Sequence, residues 1–270
     1  MDALIDLASR ARIYDLGQPY FVGMPHFPTH PPFLYSLTKK HGDIVVPGGG
    51  SSAADAIALG SHVGTHMDAL CHFSCDGRLY GGAEAAPIQS YGRGLESLSV
   101  DTVQPLVRRG ILLDVAGLYG APLPHDFTVT PEHLDAVAEK QETSCRAGDV
   151  VLLRTGWAQY WEDQALYLNG GSGNAVAGPG PEIEGARWLT SRKVFAAGSD
   201  TVGFERMPSR EMAVHVHLLV QSGVYILEAL NLEELARERV YEFLFIAAPL
   251  KLRGGTGSPI RPLALVSPGA

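Results

Sequence analysis

From residue 107 onward, short apolar runs alternate with stretches whose apolar positions recur at helical spacing. Val107 to Val115 contains ILLDV, apolar at successive positions as in a strand buried on both faces. DVVLLRTG (149–156), KVFAAGSD (193–200) and VYILE (224–228) share that character, and VYEFLFIAA (240–248) reads as the last buried strand. Helices are expected between them. One opens with Thr130 as N-cap and Pro131 at the first helical position. Another begins at Pro181, where the Gly-rich and flexible stretch 169–180 ends. A third is capped by Ser209 and stops at Gly223. This alternation predicts an α/β fold with a mixed sheet.

The N-terminal third has a different texture. Its first ten residues suit a short amphipathic helix with Leu4, Leu7 and Ala8 on one side. Residues 17–33, GQPYFVGMPHFPTHPPF, are rich in proline and aromatics and predict an ordered, extended loop. A Gly/Ser loop (47–52) follows, then an apolar segment leading into HVGTHMDALCHF. With no internal repeat and no long linker, residues 1–270 read as a single domain with 17–33 as a proline-rich arm.

Composition narrows the function classes. A hydrophobic share of 46% excludes disorder. A charged share of 19% and a net charge of −8 argue against a nucleic-acid groove, which needs excess Lys and Arg. The apolar run Phe243 to Leu250 is far short of the ~20 residues of a membrane span. The acidic N-terminus lacks the pattern of a signal peptide, and three cysteines (Cys71, Cys75, Cys145) cannot all pair within the chain. These features suit a cytoplasmic enzyme with reduced thiols acting on small molecules, with no nucleic acid or membrane partner.

Within eleven residues the chain places His62, His66, Asp68 and His72, together with Gly64. Imidazole with carboxylate is the donor set of borderline or hard divalent ions. On one extended strand His62 and His66 would lie ~13 Å apart, too far to share an ion. On one continuous helix they would share a face, but Asp68 would turn away from it. A bend at Gly64-Thr65 reconciles the spacing and brings His62, His66 and Asp68 around one ion. His72 then lies free at the rim, and three protein ligands with an open position make a catalytic arrangement.

HVGTHMDALCH matches the HxGTHxDxxxH motif, and the chain thereby resembles the metal-dependent cyclase-like hydrolases, which include bacterial kynurenine formamidase and isatin hydrolase. GMPHFPTHPPF, GDVVLLRTGW, GPGPEIEGARWL and VHVHLLVQSGVYILEALNLEEL extend the resemblance over most of the chain. It implies a swivelling β/β/α fold with a barrel-like mixed sheet, and homodimers or homotetramers in which the arm lies across a neighbouring subunit. It also implies metal ligation by His62, His66 and Asp68, a second metal position completed by His215 and Glu228, and His72 as proton donor and acceptor. Phe27 falls where the formamidases place an aromatic residue against the substrate, and Phe73 beside His72 would extend that wall. The expected activity is hydrolysis of a carbon–nitrogen bond in a small aryl formamide, amide or lactam, with one or two ions of Zn or Mn.

Several rival readings stand beside these. His215 and His217 are two residues apart on one predicted helix, so only one faces the site, and the register favours His215. His26 and His30 read as solvated loop histidines, and Cys71 as a small packing residue. No HExxH or G-x-S-x-G motif occurs. The same site would also serve a lactone or ester hydrolase, or a metal-dependent cyclase or lyase. A non-catalytic metal-binding protein is the reading from another class.

Overall fold

In the computed structural model, residue 5 and residues 8–267 are described. Leu4 and Leu7 of the expected N-terminal helix lie outside the described residues. In chain order the strands are β1 (Arg12–Asp15), β2 (Leu34–Lys39), β3 (Ala54–Ala58), β4 (His66–Asp68), the two-residue β5 (Gln89–Ser90) and β6 (Gly94–Leu95), and β7 (Leu106–Asp114). They continue with β8 (Thr128–Val129), β9 (Val150–Arg154), β10 (Gly180–Pro181), β11 (Ala196–Ser199) and β12 (Tyr225–Glu228). The last three are β13 (Glu242–Ala247), β14 (Gly257–Pro259) and β15 (Leu263–Val266).

Nine strands form one sheet in the order β1-β15-β13-β7-β9-β11-β12-β4-β14. β7, β9, β11 and β12 run parallel, and antiparallel strands flank them on both sides. The parallel centre is apolar on both faces, as its uninterrupted runs require. Ile111, Leu113, Val151 and Leu153 face the helices Pro131–Lys140 and Ile183–Ser191 and the helical segment Ala213–Ser222. Leu112, Val150, Leu152 and Leu227 point the other way. There they share one core with Tyr14 of the first strand in the order and Met67 of the eighth. Residues so far apart in a flat sheet meet only if it curls, and the sheet is a half-barrel.

The expected strands and the helix at Thr130 are present. Thr130 caps by accepting from the His133 N–H, while His133 Nδ1 accepts from the Thr130 N–H, so the cap is reciprocal. Three expectations need correction. The helix expected from Pro181 starts at Ile183, because Gly180 and Pro181 are taken up by parallel pairing with β8. The helix expected to be capped by Ser209 starts at Ala213; the Ser209 hydroxyl instead accepts from the Met212 N–H in the turn before it. β13 is not the last strand, and its exposed and buried positions alternate because only one face of this flank is covered.

The arm packs on its own chain. The Gln18 N–H donates to Thr65 Oγ1 (2.8 Å), and Trp161 Nε1 donates to the Pro19 carbonyl (2.9 Å). Met24 and Phe33 are buried with Val63, Trp157 and Trp161. No helix among the described residues is long and apolar enough to cross a membrane.

Candidate metal centre

The site grows from the β12–β4–β14 edge of the sheet. His66 and Asp68 are two residues apart on β4 and so project from the same face, while Met67 between them enters the opposite core. Across the ladder, Glu228 on β12 pairs directly with His66. The chain reaches β4 through a turn at Gly64, whose φ of +70° is left-handed. A Cβ there would also stand 2.3 Å from the Tyr20 ring. The Tyr20 hydroxyl lies 3.0 and 2.9 Å from the carbonyls of Val63 and Thr65, and Thr65 Oγ1 donates to the Ala229 carbonyl (2.6 Å). The arm therefore clamps the bend that sets His62 beside Asp68. His62 packs directly on Gly257, where any Cβ would come within 2.5 Å of its ring.

Hydrogen bonding fixes which nitrogens are free. A carbonyl oxygen can only accept, so His66 Nδ1 carries the proton it donates to Gly64 O (2.8 Å). Its Nε2 then presents a lone pair, 3.5 Å from Asp68 Oδ1 and 3.3 Å from Glu228 Oε2. His215 repeats the arrangement. Its Nδ1 donates to Glu205 Oε2 (2.6 Å), and its Nε2 faces Glu228 Oε1 at 3.3 Å and Asp68 Oδ2 at 3.9 Å. Two imidazole lone pairs and two carboxylates thus converge in a buried space with no donor among them. His66 Nε2 and Asp68 Oδ2 are left buried without a hydrogen-bond partner. A cation satisfies such a set, as protons on the imidazoles or as a metal ion.

The charge balance follows the same logic. Burial alone would lower His215, but its hydrogen bonds to Glu205 and Glu228 and the charge of Asp68 push it up to about 10. His66 is raised against the same penalty by Glu228 and Asp68. Burial would raise Glu228, yet His215 and His66 hold it down to about 2. Asp68 is held well below the carboxylate range, against burial, by the surrounding His72, His62 and His66. Two groups of three, His66/Asp68/Glu228 and His62/Asp68/His72, each bring their donor atoms within 4.8 Å of one another. Asp68 is common to both, so the donor set and its orphaned atoms fit one or two divalent ions.

His62 hydrogen-bonds at both ring nitrogens. Nδ1 donates to Asp68 Oδ1 (2.6 Å), and Nε2 accepts from the Thr256 hydroxyl (2.8 Å). His72 is not free at the rim as the spacing suggested. It follows the turn closed by its N–H on the Ala69 carbonyl, and its ring stacks on His62 at 3.9 Å. Burial pushes it down to about 3, so the ring is neutral.

Phe73 contacts His72 and His215, with ring centroids at 5.2 and 5.0 Å. Phe27 reaches the cluster through His30, 5.6 Å from it. His30 is not a solvated loop histidine: it lies 5.3 Å from His62 and 6.4 Å from His72, and its Nδ1 is 3.2 Å from the His62 carbonyl. His217 turns away, to Thr190 and Gln221, so of the rival pair His215 faces the cluster. Cys71 is buried as packing, and burial pushes its thiol up to about 11.

Sequence reasoning missed Glu205, Thr256, Gly257 and Tyr20. Contacts across the fold bring them to the site, and Glu205, beside Arg206 in VGFERM, carries no local signal of its role.

The fold is a mixed α/β half-barrel with an imidazole–carboxylate cluster that could hold a metal ion at one side of its sheet. The Cyclase family model, described as "Putative cyclase", matches residues 14–206, and the chain belongs to that family. An isatin hydrolase of Roseibium aggregatum is 31% identical over 214 residues, covering 78% of this chain and 73% of its own. A kynurenine formamidase of Bacillus cytotoxicus is 26% identical over 259 residues, covering 94% and 96%. Among solved structures, a novel cyclase superposes with a TM-score of 0.86 at 28% identity, covering 98% of this chain and 90% of the other.

Proposed function

We propose that this protein is a metal-dependent hydrolase that cleaves a carbon–nitrogen bond in a small aryl formamide, amide or lactam. The observation that carries the reading is the pair of buried atoms His66 Nε2 and Asp68 Oδ2, which have no hydrogen-bond partner and face Glu228 and His215. His66, Asp68, His215 and Glu228 would hold one or two ions, Zn or Mn, with His62 joining them where its Nδ1 gives up the proton it shares with Asp68. A divalent ion there supplies a Lewis acid that polarises the carbonyl and makes water acidic enough to attack near neutral pH.

The chain's own residues do the rest. His72, neutral and stacked flat on His62, takes a proton during attack and returns it to the leaving nitrogen. Phe73 and Phe27 offer aromatic faces to a planar substrate, with His30 between Phe27 and the cluster. The relatives named for isatin and kynurenine supply the substrate class. The net charge of −8 suits a small-molecule partner, and a cytoplasmic location suits the three free thiols.

The test is turnover of N-formyl aryl amides and cyclic aryl amides by the purified protein, before and after chelation. Hydrolysis that chelation abolishes and Zn or Mn restores is expected, with His72→Ala reducing kcat by about 10²–10⁴. Chelator-resistant turnover, or full activity in His72→Ala, would overturn the reading.

A further inference from the structure

His30 is an imidazole of the cluster to which the hydrolytic scheme gives no chemical task. It comes from the proline-rich arm, and the arm holds it in place. The His30 N–H donates to the Phe27 carbonyl (2.9 Å), closing a turn with Pro28 at the position proline favours. One residue on, the Pro31 carbonyl accepts from the Gly60 N–H (3.3 Å). Phe27 and His30 are therefore the two ends of one pinned turn, with ring centroids 5.6 Å apart. The His30 ring is half-buried, 5.3 Å from His62 and 6.4 Å from His72. Its hydrogen bonding fixes its chemistry. Nδ1 faces the His62 carbonyl at 3.2 Å, and a carbonyl only accepts, so Nδ1 carries the proton. Nε2 then presents a lone pair. No group among the described residues donates to it, and it is not sealed in the protein as His66 Nε2 is, so a ligand can reach it.

We infer that His30 determines specificity: its Nε2 accepts a hydrogen bond from the N–H of a secondary aryl amide or lactam whose ring lies against Phe27. The inference deepens the hydrolase reading and rests on it for the class of substrate. The spacing suits one bridging atom. A nitrogen hydrogen-bonded at about 3 Å on each side spans a separation like the 6.4 Å between the His30 and His72 rings. The scissile amide nitrogen is that atom. His30 holds the N–H it already has, and His72 delivers to its lone pair the proton taken from water as the carbon–nitrogen bond breaks. The released amine thus keeps one hydrogen from the substrate and gains one from water. An ester oxygen and a tertiary amide nitrogen carry no hydrogen, so either would leave the Nε2 lone pair facing the substrate without a donor. A site built to bond an N–H rejects an analogue lacking it by leaving its own polar group unpaired. Because His30 is half-buried, the discrimination it supplies is that of one neutral hydrogen bond, about tenfold.

The test has two readouts, one of them free of turnover. The full chain is labelled with 15N-histidine, supplied with Zn and held at pH 8, above the ordinary imidazole pKa of ~6.5. Oxindole, a lactam with an N–H, is expected to shift the His30 Nε2 resonance, which is assigned by its loss in His30→Phe. N-methyloxindole is expected to leave it in place. The second readout is kcat/KM for formanilide against N-methylformanilide. The preference for the N–H substrate should fall about tenfold in His30→Phe, which keeps a planar ring but no acceptor. It should recover in part in His30→Gln, whose Oε1 can accept. A resonance that ignores oxindole, or that moves equally with the N-methyl compound, would overturn the inference, and so would an unchanged preference in His30→Phe with turnover intact; both leave the hydrolase reading standing. If neither formanilide is hydrolysed while oxindole still shifts the resonance, the hydrolase reading falls and recognition of the N–H by His30 stands.

Discussion

The centre of the sheet and its β12–β4–β14 edge use the same ladder geometry for opposite ends. In β9 every residue is buried and the first four are apolar, Val150 and Leu152 to one core, Val151 and Leu153 to the other. In β4 the alternation persists, but only Met67 enters a core, while His66 and Asp68 project into a buried space where His66 Nε2 and Asp68 Oδ2 find no hydrogen-bond partner. The centre gains stability from burial on both faces; the edge forgoes part of that and sets four acceptors against each other. The polar cluster costs stability unless a cation joins it, and that expense marks the edge as the working part of the molecule.

The largest effect that would sharpen this contrast is loss of the shared carboxylate. Asp68→Ala should lower kcat/KM by about 10³ or more while leaving the thermal unfolding of the metal-free protein within a few degrees of wild type, checked by steady-state kinetics and calorimetry. A single added methyl group compares the two regions directly. At Gly198 in the centre, a Cβ would stand 2.9 Å from Leu152, Leu227 and Leu230, so Gly198→Ala should cost about 1–3 kcal/mol in denaturant unfolding and little activity per folded molecule. At Gly257 on the edge, the Cβ meets the His62 ring, so Gly257→Ala should instead lower activity at least tenfold. Equal losses of stability and activity in both variants would erase the distinction.

A weaker perturbation acts through Glu205. It receives Nδ1–H of His215 and the hydroxyl of Ser209, and so aims Nε2 at Glu228 and Asp68. Glu205→Gln should weaken metal affinity by about 10–100-fold, measured by calorimetric titration, with the fold retained. The smallest effect is on pH. In metal-free protein His215 is raised from its ordinary value near 6.5 to about 10, so the stability it contributes is complete below pH 6.5 and lost as pH rises through 10. The metal-free melting temperature should fall between pH 7 and pH 10, and His215→Gln should flatten that slope.

The same contrast governs what was legible in the chain. The centre was readable because a strand buried on both faces must be apolar at successive positions, as ILLDV and VVLLR are. The convergence of His62, His66, Asp68 and His72 was readable because they are close in sequence and Gly64 announces the bend between them. The β2–β3 hairpin was not, since ADAIA has few strand-forming residues and LYSLTK was given no reading after the proline-rich arm at 17–33. Glu205, Thr256 and Gly257 escaped because their roles exist only across contacts: Thr256 meets His62 from 194 positions away. Ser209 and Pro181 looked like helix starts, but tertiary contacts claimed them first: Ser209 donates to Glu205, and Pro181 pairs with β8.

The most direct test of the central claim, that the edge cluster exists to hold a divalent ion, is metal content per chain for wild type and His66→Ala purified without chelator. The account predicts one or two equivalents of Zn or Mn in wild type and a loss of at least one in the variant, with both proteins folded. A folded wild type that carries no metal and takes up neither ion on titration would contradict it.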